Sequence, residues 1–417
     1  MNKKPFFQLF VGISLVSSFL LMVASPVAAQ TPTGTSTSST AAATAINTTP
    51  TVAATDTSAD STATDQSLCL PYLDSMQSAN CLQAGPATQL ATLGAKGMTF
   101  PAEPLTLVHP SADLGNIPFS YAKVVPDAVP EYASVDDAVA GNVKEILPAG
   151  KVKYVALSKK QADENGNVYY QIANEDWISA DAISKVSITY FQGYLINRLP
   201  SGTFGIILQS EKPSYVAPGY SSAKTGKVYN RLDLVHCYDS KVVDDIEWVM
   251  IGPNEWIEHS NVSRLINNPT PPAGVTNGRW IEVNLYEQTL TVYENSKMIF
   301  ATLISSGQAP FYTKPGTFKI YRKVEHEYMT GAFESNRSDF YYLEQVPYIM
   351  YFDDARALHG AYWNSYYGYP LSHGCVNLSV ADSHWLYDWA NEGDTVYVWD
   401  PSGKTPTDAS LYSKSAF

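Results

Sequence analysis

The sequence predicts a mainly β protein that is built from several domains. Its 417 residues exceed the usual size of a single domain. Hydrophobic residues make up 45% of the chain, charged residues make up 16%, and there are 28 tyrosines, a composition that suits folded modules rich in strand-forming side chains. Short stretches of alternating apolar and polar residues, separated by turn residues, recur in the second half of the chain, and this pattern is typical of strands.

The first 29 residues are typical of a secretory signal peptide. Lys3 and Lys4 precede an apolar run at residues 6–24, and Val27 and Ala29 are small residues at the two positions that direct cleavage. A retained membrane anchor is the alternative, because the run is near the lower length limit for a bilayer span. We therefore expect the mature chain to be secreted or at the cell wall, with a membrane contact only if the signal peptide is not cleaved.

The region after the signal peptide divides into two parts. Residues 30–67 are almost entirely Thr, Ser, Ala, Asp and Pro, which predicts a disordered spacer. Residues 68–116 form a short segment that contains Cys69 and Cys81, and we expect these two to form a disulfide in an oxidising compartment. Cys237 lies in an apolar run and is predicted to be a buried thiol. Cys375 then has no partner, which calls for a chemical explanation.

The chain carries a formal net charge of -13, from 27 basic and 40 acidic residues. A nucleic-acid partner would require a basic patch, and the sequence contains none. The excess of acidic residues affects the solubility of the protein and says little about its fold or chemistry.

Residues 117–190 and 191–266 look like two repeats of one small β unit. In each, an alternating strand and a short turn are followed by Asn-Glu-(Asp)-Trp-Ile, which contains Trp177 in the first repeat and Trp256 in the second. This ending resembles the closing strands of bacterial SH3-like domains. The resemblance implies two small SH3-like β-barrels that bind cell-wall peptide or glycan. The alternative is that both tryptophans are core residues of two spacer barrels.

A new domain is predicted at residues 279–400, between a Pro-rich linker at 267–278 and a tail at 401–417. It is predicted to consist mainly of strands, with one helix that Ser379 caps and that ends before Gly393. The predicted strands are 280–285, 289–294, 298–304 and 317–321, the turn of the first hairpin is 286–288, and the helix is 380–391.

The chemically dense part of this domain is His359-Gly360 followed by residues 372–377, which read Ser-His-Gly-Cys-Val-Asn. A cysteine nucleophile needs an imidazole that lowers the pKa of the thiol or removes its proton during the reaction. Gly374 allows close approach of the main chain and can direct backbone N–H groups at an oxyanion. The residues alone therefore predict a Cys-His acyl-transfer site, with His359 as candidate base and His373 as its competitor. Zinc bound by both histidines and Cys375 is the alternative, although a fourth ligand is lacking.

These residues resemble the signature of the L,D-transpeptidase catalytic domain, also called YkuD. The resemblance implies a β-sandwich-like domain that forms 3→3 cross-links between peptidoglycan stem peptides and releases D-Ala, with no cofactor. It implies Cys375 as nucleophile, His359 as base and the Gly360 carbonyl as the group that orients the imidazole. The N–H groups of Gly374 and Cys375 would stabilise the oxyanion, and supporting roles fall to Ser372, His373 and Asn377.

Aromatic residues near the motif are candidates for a substrate pocket, although packing is the alternative. The candidates are Tyr351, Tyr362 and Trp363, and Tyr366, Tyr367 and Tyr369 in the following loop. Rival functions also stay open at this point: an L,D-carboxypeptidase that uses water as acceptor, an enzyme that attaches proteins to the wall, and a wall-binding protein with an inactive catalytic domain.

Overall fold

A computed structural model of the chain describes Gly94 and residues 105–200, 202–334 and 336–412. The predicted signal peptide, the spacer and the Cys69–Cys81 disulfide lie outside these residues and stay predictions. The described residues form 26 strands and two α-helices, so the predicted mainly β class is confirmed. None of the helices in this part of the chain is long and apolar enough to cross a membrane.

The first repeat contains three groups of strands. Its first strand pairs antiparallel with two later ones, and a 3-10 helix at Ala180–Ala182 precedes the last. The other strands form a three-stranded and a two-stranded sheet. The elements are β1 (Ser120–Val124), β2 (Val129–Glu131), α1 (Val135–Ala140), β3 (Glu145–Leu147), β4 (Val152–Leu157), β5 (Lys160–Ala162), β6 (Val168–Gln171), β7 (Trp177–Ser179) and β8 (Ile183–Lys185).

The second repeat has a three-stranded and a five-stranded sheet. Its elements are β10 (Thr203–Ile207), β11 (Lys212–Tyr215), β12 (Lys224–Tyr229), β13 (Leu234–Cys237), β14 (Asp239–Val243), β15 (Ile246–Gly252), β16 (Glu255–Glu258) and β17 (Val262–Leu265), with a 3-10 helix at His259–Asn261. Before them lies β9 (Tyr194–Leu195), which pairs with a strand of the C-terminal domain even though it falls within the range predicted for this repeat. Cys237 is buried, as predicted.

The two repeats share one order of elements. In each, a Trp-Ile strand (β7 or β16) leads into a 3-10 helix, and the next strand (β8 or β17) pairs antiparallel with the first long strand, β1 or β10. Trp177 and Trp256 are both buried. The repetition in the sequence is therefore a repetition of structure, while the SH3-like identity and the wall binding stay predictions.

The C-terminal domain packs a sheet of order β21-β26-β18-β19-β20-β9 against strands β23, β24 and β25 and one helix. Its elements are β18 (Arg279–Asn284), β19 (Thr289–Glu294), β20 (Lys297–Leu303), β21 (Gly316–Lys319), β22 (Arg322–Gly331), β23 (Tyr341–Asp353), β24 (Arg356–Gly360), β25 (Val376–Leu378), α2 (Val380–Trp389) and β26 (Thr395–Trp399). Apolar side chains from both layers and Leu386 of α2 form the core between them.

Local hydrogen bonds explain where these elements begin and end. Asn284 Oδ1 accepts the backbone N–H groups of Tyr286 and Glu287, which fixes the turn of the β18–β19 hairpin. Ser379 Oγ accepts the Asp382 N–H at 3.1 Å and caps α2, as predicted. The helix ends two residues earlier than predicted, because Ala390 adopts an extended conformation.

A seven-stranded sheet joins the first repeat to the C-terminal domain. Strand β4 of the first repeat pairs in parallel with β23, and the Cα partners are Val152 with Tyr341 and two further pairs. Strand β23 also pairs antiparallel with β22 and with β24, and β25 pairs in parallel with β24. The sequence predicted two separate units here, whereas the structure has one continuous sheet.

The predicted linker and tail both contact the C-terminal domain. In the linker, the Asn268 N–H donates to Tyr293 Oη at 2.7 Å. In the tail, a 3-10 helix spans Ala409–Tyr412, Tyr412 is buried, and its carbonyl accepts a hydrogen bond from Arg356 Nη2 at 3.1 Å. Tyr412 of the tail therefore lies beside β24, the strand that carries His359.

Candidate active site

The two strands β24 and β25 bring the predicted base and nucleophile together. They run parallel, with His359 opposite Asn377. Side chains alternate between the two faces of a strand, so His359 and Asn377 share one face, and Cys375, two residues before Asn377, lies on that side as well. Their side chains line one cavity of about 600 Å³, together with Ser372 and His373.

The loop that carries Cys375 is held by hydroxyl groups on both sides. Ser372 Oγ accepts the Gly374 N–H at 3.1 Å and donates to the Cys375 carbonyl at 2.5 Å. Thr313 Oγ1 donates to the Gly374 carbonyl at 2.9 Å and accepts the Gly307 N–H at 2.8 Å. Gly374 has a φ of 115°, a backbone conformation that an L side chain rarely adopts. The loop conformation therefore depends on this glycine and on the two hydroxyls.

These contacts change one expectation from the sequence. The N–H groups of both Gly374 and Cys375 were predicted to stabilise the oxyanion. Because the Gly374 N–H already donates to Ser372 Oγ, the Cys375 N–H is the better candidate of the two.

His359 is buried and held in one tautomer. Its Nδ1 lies 3.2 Å from the Gly360 carbonyl oxygen. A carbonyl only accepts, so Nδ1 carries the proton and the Nε2 lone pair is available to take another. Gly360 itself must be glycine, because a Cβ there would lie 2.6 Å from Ser383 Oγ and 2.9 Å from Pro347 Cγ. The structure thus provides the orienting contact that the resemblance implied.

Burial favours the neutral form of both candidate groups, the His359 imidazole and the Cys375 thiol. It lowers the pKa of His359 to about 4, against a smaller opposing effect of the Gly360 carbonyl. Burial raises the pKa of the Cys375 thiol, against the smaller effects of the Ala357 N–H and the Arg356 guanidinium. The sequence left open whether the imidazole lowers the thiol pKa or removes the proton during reaction. A neutral thiol beside a neutral imidazole favours removal during reaction.

The predicted pocket residues divide into two groups. Tyr351 and Trp363 line the cavity, and the Trp363 ring centroid is 5.7 Å from that of His359. Tyr362 does not line it: the side chain is buried, its ring stacks on Tyr121, and its hydroxyl donates to the Glu344 carbonyl at 2.7 Å. The prediction for Tyr362 was wrong, because its position next to Trp363 places its side chain in the interface with the first repeat.

The loop tyrosines also lie elsewhere. Tyr367 is buried and donates to backbone carbonyls, including that of Leu378. The Tyr366 ring is exposed, and Tyr369 lines a separate cavity. These three are packing or surface residues in the structure.

Sequence reasoning missed several residues at this site. Val152 and Tyr154 line the Cys375 cavity although they belong to the first repeat. Arg356 is bound to Asp353 at 2.9 Å, next to the Cys375 loop. Thr313, whose hydroxyl binds the Gly374 carbonyl, lies about 60 residues before the Cys375 loop. The alternation of side chains along residues 152–157 could have predicted strand β4. It could not have shown that the partner of this strand begins near residue 341.

The metal alternative gains no support from the arrangement of side chains. Over the residues that the structure describes, no group of three or more His, Cys, Asp or Glu side chains is placed to hold a metal ion.

Comparison with known families identifies the C-terminal domain. The sequence profile described as the L,D-transpeptidase catalytic domain, YkuD, matches residues 278–398. Residues 278–398 form a YkuD domain. The resemblance carried by His359, Gly360 and residues 372–377 is therefore confirmed for this part of the chain. A search of curated proteins finds no match.

Several solved structures are similar to about a third of this chain. An L,D-transpeptidase (Yku) from Stackebrandtia nassauensis is 32% identical over 31% of this chain and 59% of its own, with a TM-score of 0.25. A mutant L,D-transpeptidase from Enterococcus faecium is 26% identical over 29% of this chain and 50% of its own, with a TM-score of 0.27. An L,D-transpeptidase from Xylanimonas cellulosilytica is 26% identical over 31% of this chain and 64% of its own, with a TM-score of 0.26. This chain thus spans less than two thirds of each, and the identification rests on the family profile.

Proposed function

We propose that this protein is a peptidoglycan L,D-transpeptidase that forms 3→3 cross-links through a thioester on Cys375. In the first half-reaction, the Cys375 sulfur attacks the carbonyl of the third residue of a donor tetrapeptide stem, and His359 Nε2 takes the thiol proton. The S–C bond forms, the C–N bond to the terminal D-Ala breaks, and the imidazolium returns its proton to the leaving amine. The Cys375 N–H stabilises the oxyanion of the intermediate.

In the second half-reaction, the side-chain amine of the diamino acid in another stem attacks the thioester. His359 takes a proton from this amine, the new C–N bond forms, and the C–S bond breaks. The proton then returns to the Cys375 sulfur, so the enzyme is regenerated without any co-reactant. Water in place of the amine would make the enzyme an L,D-carboxypeptidase.

The observation that carries this proposal is the convergence of Cys375 and His359 on one cavity, with His359 Nδ1 bound to the Gly360 carbonyl. That contact leaves Nε2 as the basic atom, which is what a general base for a neutral thiol requires. The YkuD profile over residues 278–398 supports the choice of substrate class. Peptidoglycan lies outside the cytoplasm, so the proposal also assigns the mature chain to that compartment, in line with the predicted signal peptide.

The proposal is tested by incubating the mature chain and its Cys375→Ala variant with disaccharide-tetrapeptide muropeptides. We expect liquid chromatography and mass spectrometry to detect a 3→3 dimer and free D-Ala with the wild type and neither with the variant. Tripeptide without dimer would replace the transpeptidase by a carboxypeptidase. Absence of any turnover would overturn the enzyme proposal and favour a wall-binding protein.

The low pKa of His359 predicts an unusual pH dependence. The imidazole acts as base only when neutral, and it is neutral above its pKa of about 4. The value of kcat/KM for donor acylation should therefore hold from pH 7 down to about pH 5 and fall as the pH passes through about 4. If the imidazole had an ordinary pKa, this fall in kcat/KM would be centred at about pH 6.5.

This profile is measured by stopped assays of D-Ala release, with circular dichroism at each pH as a control for folding. A decline centred near pH 6.5 in a folded protein would contradict the proposed neutral resting state of His359.

We also propose that the two repeats bind wall peptide or glycan. The support is their resemblance to SH3-like domains at the Trp-Ile endings. Binding of the full mature Cys375→Ala chain to purified cell-wall sacculi, measured with and without an excess of free stem tetrapeptide that occupies the Cys375 cavity, tests whether the repeats add affinity.

A further inference from the structure

The strand β4 of the first repeat is built into the wall of the Cys375 cavity. It pairs with β23 over three residue pairs, Val152 with Tyr341, Lys153 with Tyr342 and Leu343 with Tyr154. Strand β23 is also one arm of the long hairpin that flanks the cavity. The first repeat therefore supplies the strand next to this hairpin.

Buried hydrogen bonds hold β4 at this position. The carboxylate of Glu344, on β23, accepts the N–H groups of Ala156 at 2.8 Å and of Ala173 at 3.1 Å, both from the first repeat. Tyr121 of β1 donates to the Gln345 carbonyl at 2.7 Å. A buried carboxylate is costly unless it is bonded, so separating the two parts would leave Glu344 without these partners. The interface is thus specific rather than a loose contact between neighbouring domains.

The alternation along β4 directs two side chains at the cavity. Lys153 points away, since it is fully buried and its Nζ donates to the carbonyls of Pro126, Asp127 and Pro148 within the first repeat. Its neighbours Val152 and Tyr154 must then point to the opposite face, and both line the Cys375 cavity.

Tyr154 lies near Trp363, which in turn lies near His359. Its ring centroid is 6.2 Å from that of Trp363, which in turn is 5.7 Å from that of His359. Val152, Tyr154 and Trp363 belong to the same apolar cluster as Cys375. The charged pair Arg322 and Glu327, both on β22, also lines the cavity. The side chains that β4 contributes to the cavity are thus apolar or aromatic, whereas β22 contributes charged ones.

We propose that the first repeat is a part of the active site, in which Val152 and Tyr154 contact the aliphatic side chains of the donor stem peptide and determine its affinity. This inference rests on the proposed function. It differs from the role of a spacer or of a separate wall-binding module, because it makes peptide turnover depend on side chains about 220 residues before the nucleophile.

The test compares Tyr154→Ala with the wild type in the full mature chain, with disaccharide-tetrapeptide as donor. We expect KM to rise roughly tenfold, the order of the loss of one aromatic contact, with kcat changed by less than about threefold. Tyr154→Phe keeps the ring and should restore KM to within about twofold of the wild type. Val152→Ala, a smaller change on the same face, should raise KM by about two- to fivefold.

Two controls separate a substrate contact from a general loss of structure. Tyr170→Ala removes a half-buried tyrosine of the same repeat that packs on its core and lies away from the Cys375 cavity, and it should leave KM unchanged. The alkylation rate of Cys375 by iodoacetamide should be the same in Tyr154→Ala and in the wild type. This small reagent does not depend on contacts with the side chains of β4. If Tyr154→Ala fails to fold, Val152→Ala decides.

The outcomes for the two proposals are distinct. If the wild type, Tyr154→Ala and Val152→Ala all turn over the muropeptide with the same KM, this inference is overturned. The transpeptidase proposal then stays in place. A wild type without turnover overturns both. Equal rises in KM for Tyr170→Ala and Tyr154→Ala would show that the effect is one of stability and would also overturn the inference.

Discussion

Replacing His359 by glutamine is expected to lower the rate of Cys375 acylation by roughly 10²- to 10⁴-fold, the usual contribution of a positioned general base. The thiol needs this base because burial raises its pKa and leaves it protonated at neutral pH. Glutamine has a similar size and can still donate to the Gly360 carbonyl, but its amide does not take up a proton. Mass spectrometry of the intact enzyme during reaction with muropeptide measures the acylation rate directly.

The matched control is His373→Gln, since the sequence left His373 as the competing base. The His373 ring lies among aromatic rings, 4.8 Å from Phe311 and 6.0 Å from Phe333 between centroids, a setting that suits packing. We expect its replacement to reduce the rate by less than about tenfold, well below the usual contribution of a general base. A larger loss for His373→Gln than for His359→Gln would reverse the assignment of the base.

Replacing Arg264 by methionine is expected to destabilise the fold by roughly 3–5 kcal/mol, the usual cost of breaking a buried ion pair from one side. Arg264, on β17, is 3% exposed and binds two carboxylates: Glu247 at 2.8 Å and Glu287 at 2.6 Å. Glu287 lies in the β18–β19 turn, so the network joins the second repeat to the YkuD domain. Burial alone would raise the pKa of Glu287, but Arg264 and His259 outweigh it and hold the pKa at about 2.

The measurement is urea unfolding of the mature chain, followed by tryptophan fluorescence. Lys227→Met is the control, because its ion pair with Glu255 has a cation that is 65% exposed and exposed pairs contribute little. The depressed pKa of Glu287 means that its stabilising effect is present above an ordinary carboxyl pKa and is lost as the pH falls towards 2. Equal stability of Arg264→Met and Lys227→Met at pH 7 would contradict the role of the network.

Local patterns in the sequence predicted strands β18 to β21 and helix α2 of the YkuD domain, but not strands β22 to β26. The alternation at 289–294 matched β19 at both ends, and the cap at Ser379 marked the start of α2. These features depend on neighbours along the chain, and such neighbours are visible in the sequence. The cysteine, histidine and glycine of the site were visible because they form a motif with fixed chemistry.

What the sequence did not reveal depends on contacts between distant segments. Alternation identifies a strand but does not name its partner, so the pairing of β4 with β23 had no signal. The same limit explains the prediction for Tyr362, whose surroundings come from Tyr121 and Glu344. It also explains the neutral states of Cys375 and His359, because the degree of burial that shifts both pKa values is a property of the assembled fold.

The pairing of β4 with β23 also bears on when the enzyme becomes competent. The two strands are about 190 residues apart in the sequence, and contacts of such separation form late because a long loop must close first. Strand β4 is synthesised early, and it can pair with β23 only after β23 has also been synthesised. Cys375 follows β23 in the chain, so this thiol has a complete cavity only after β4 and β23 have paired. A nascent or partly folded chain would therefore carry a thiol without the surroundings needed for acyl transfer.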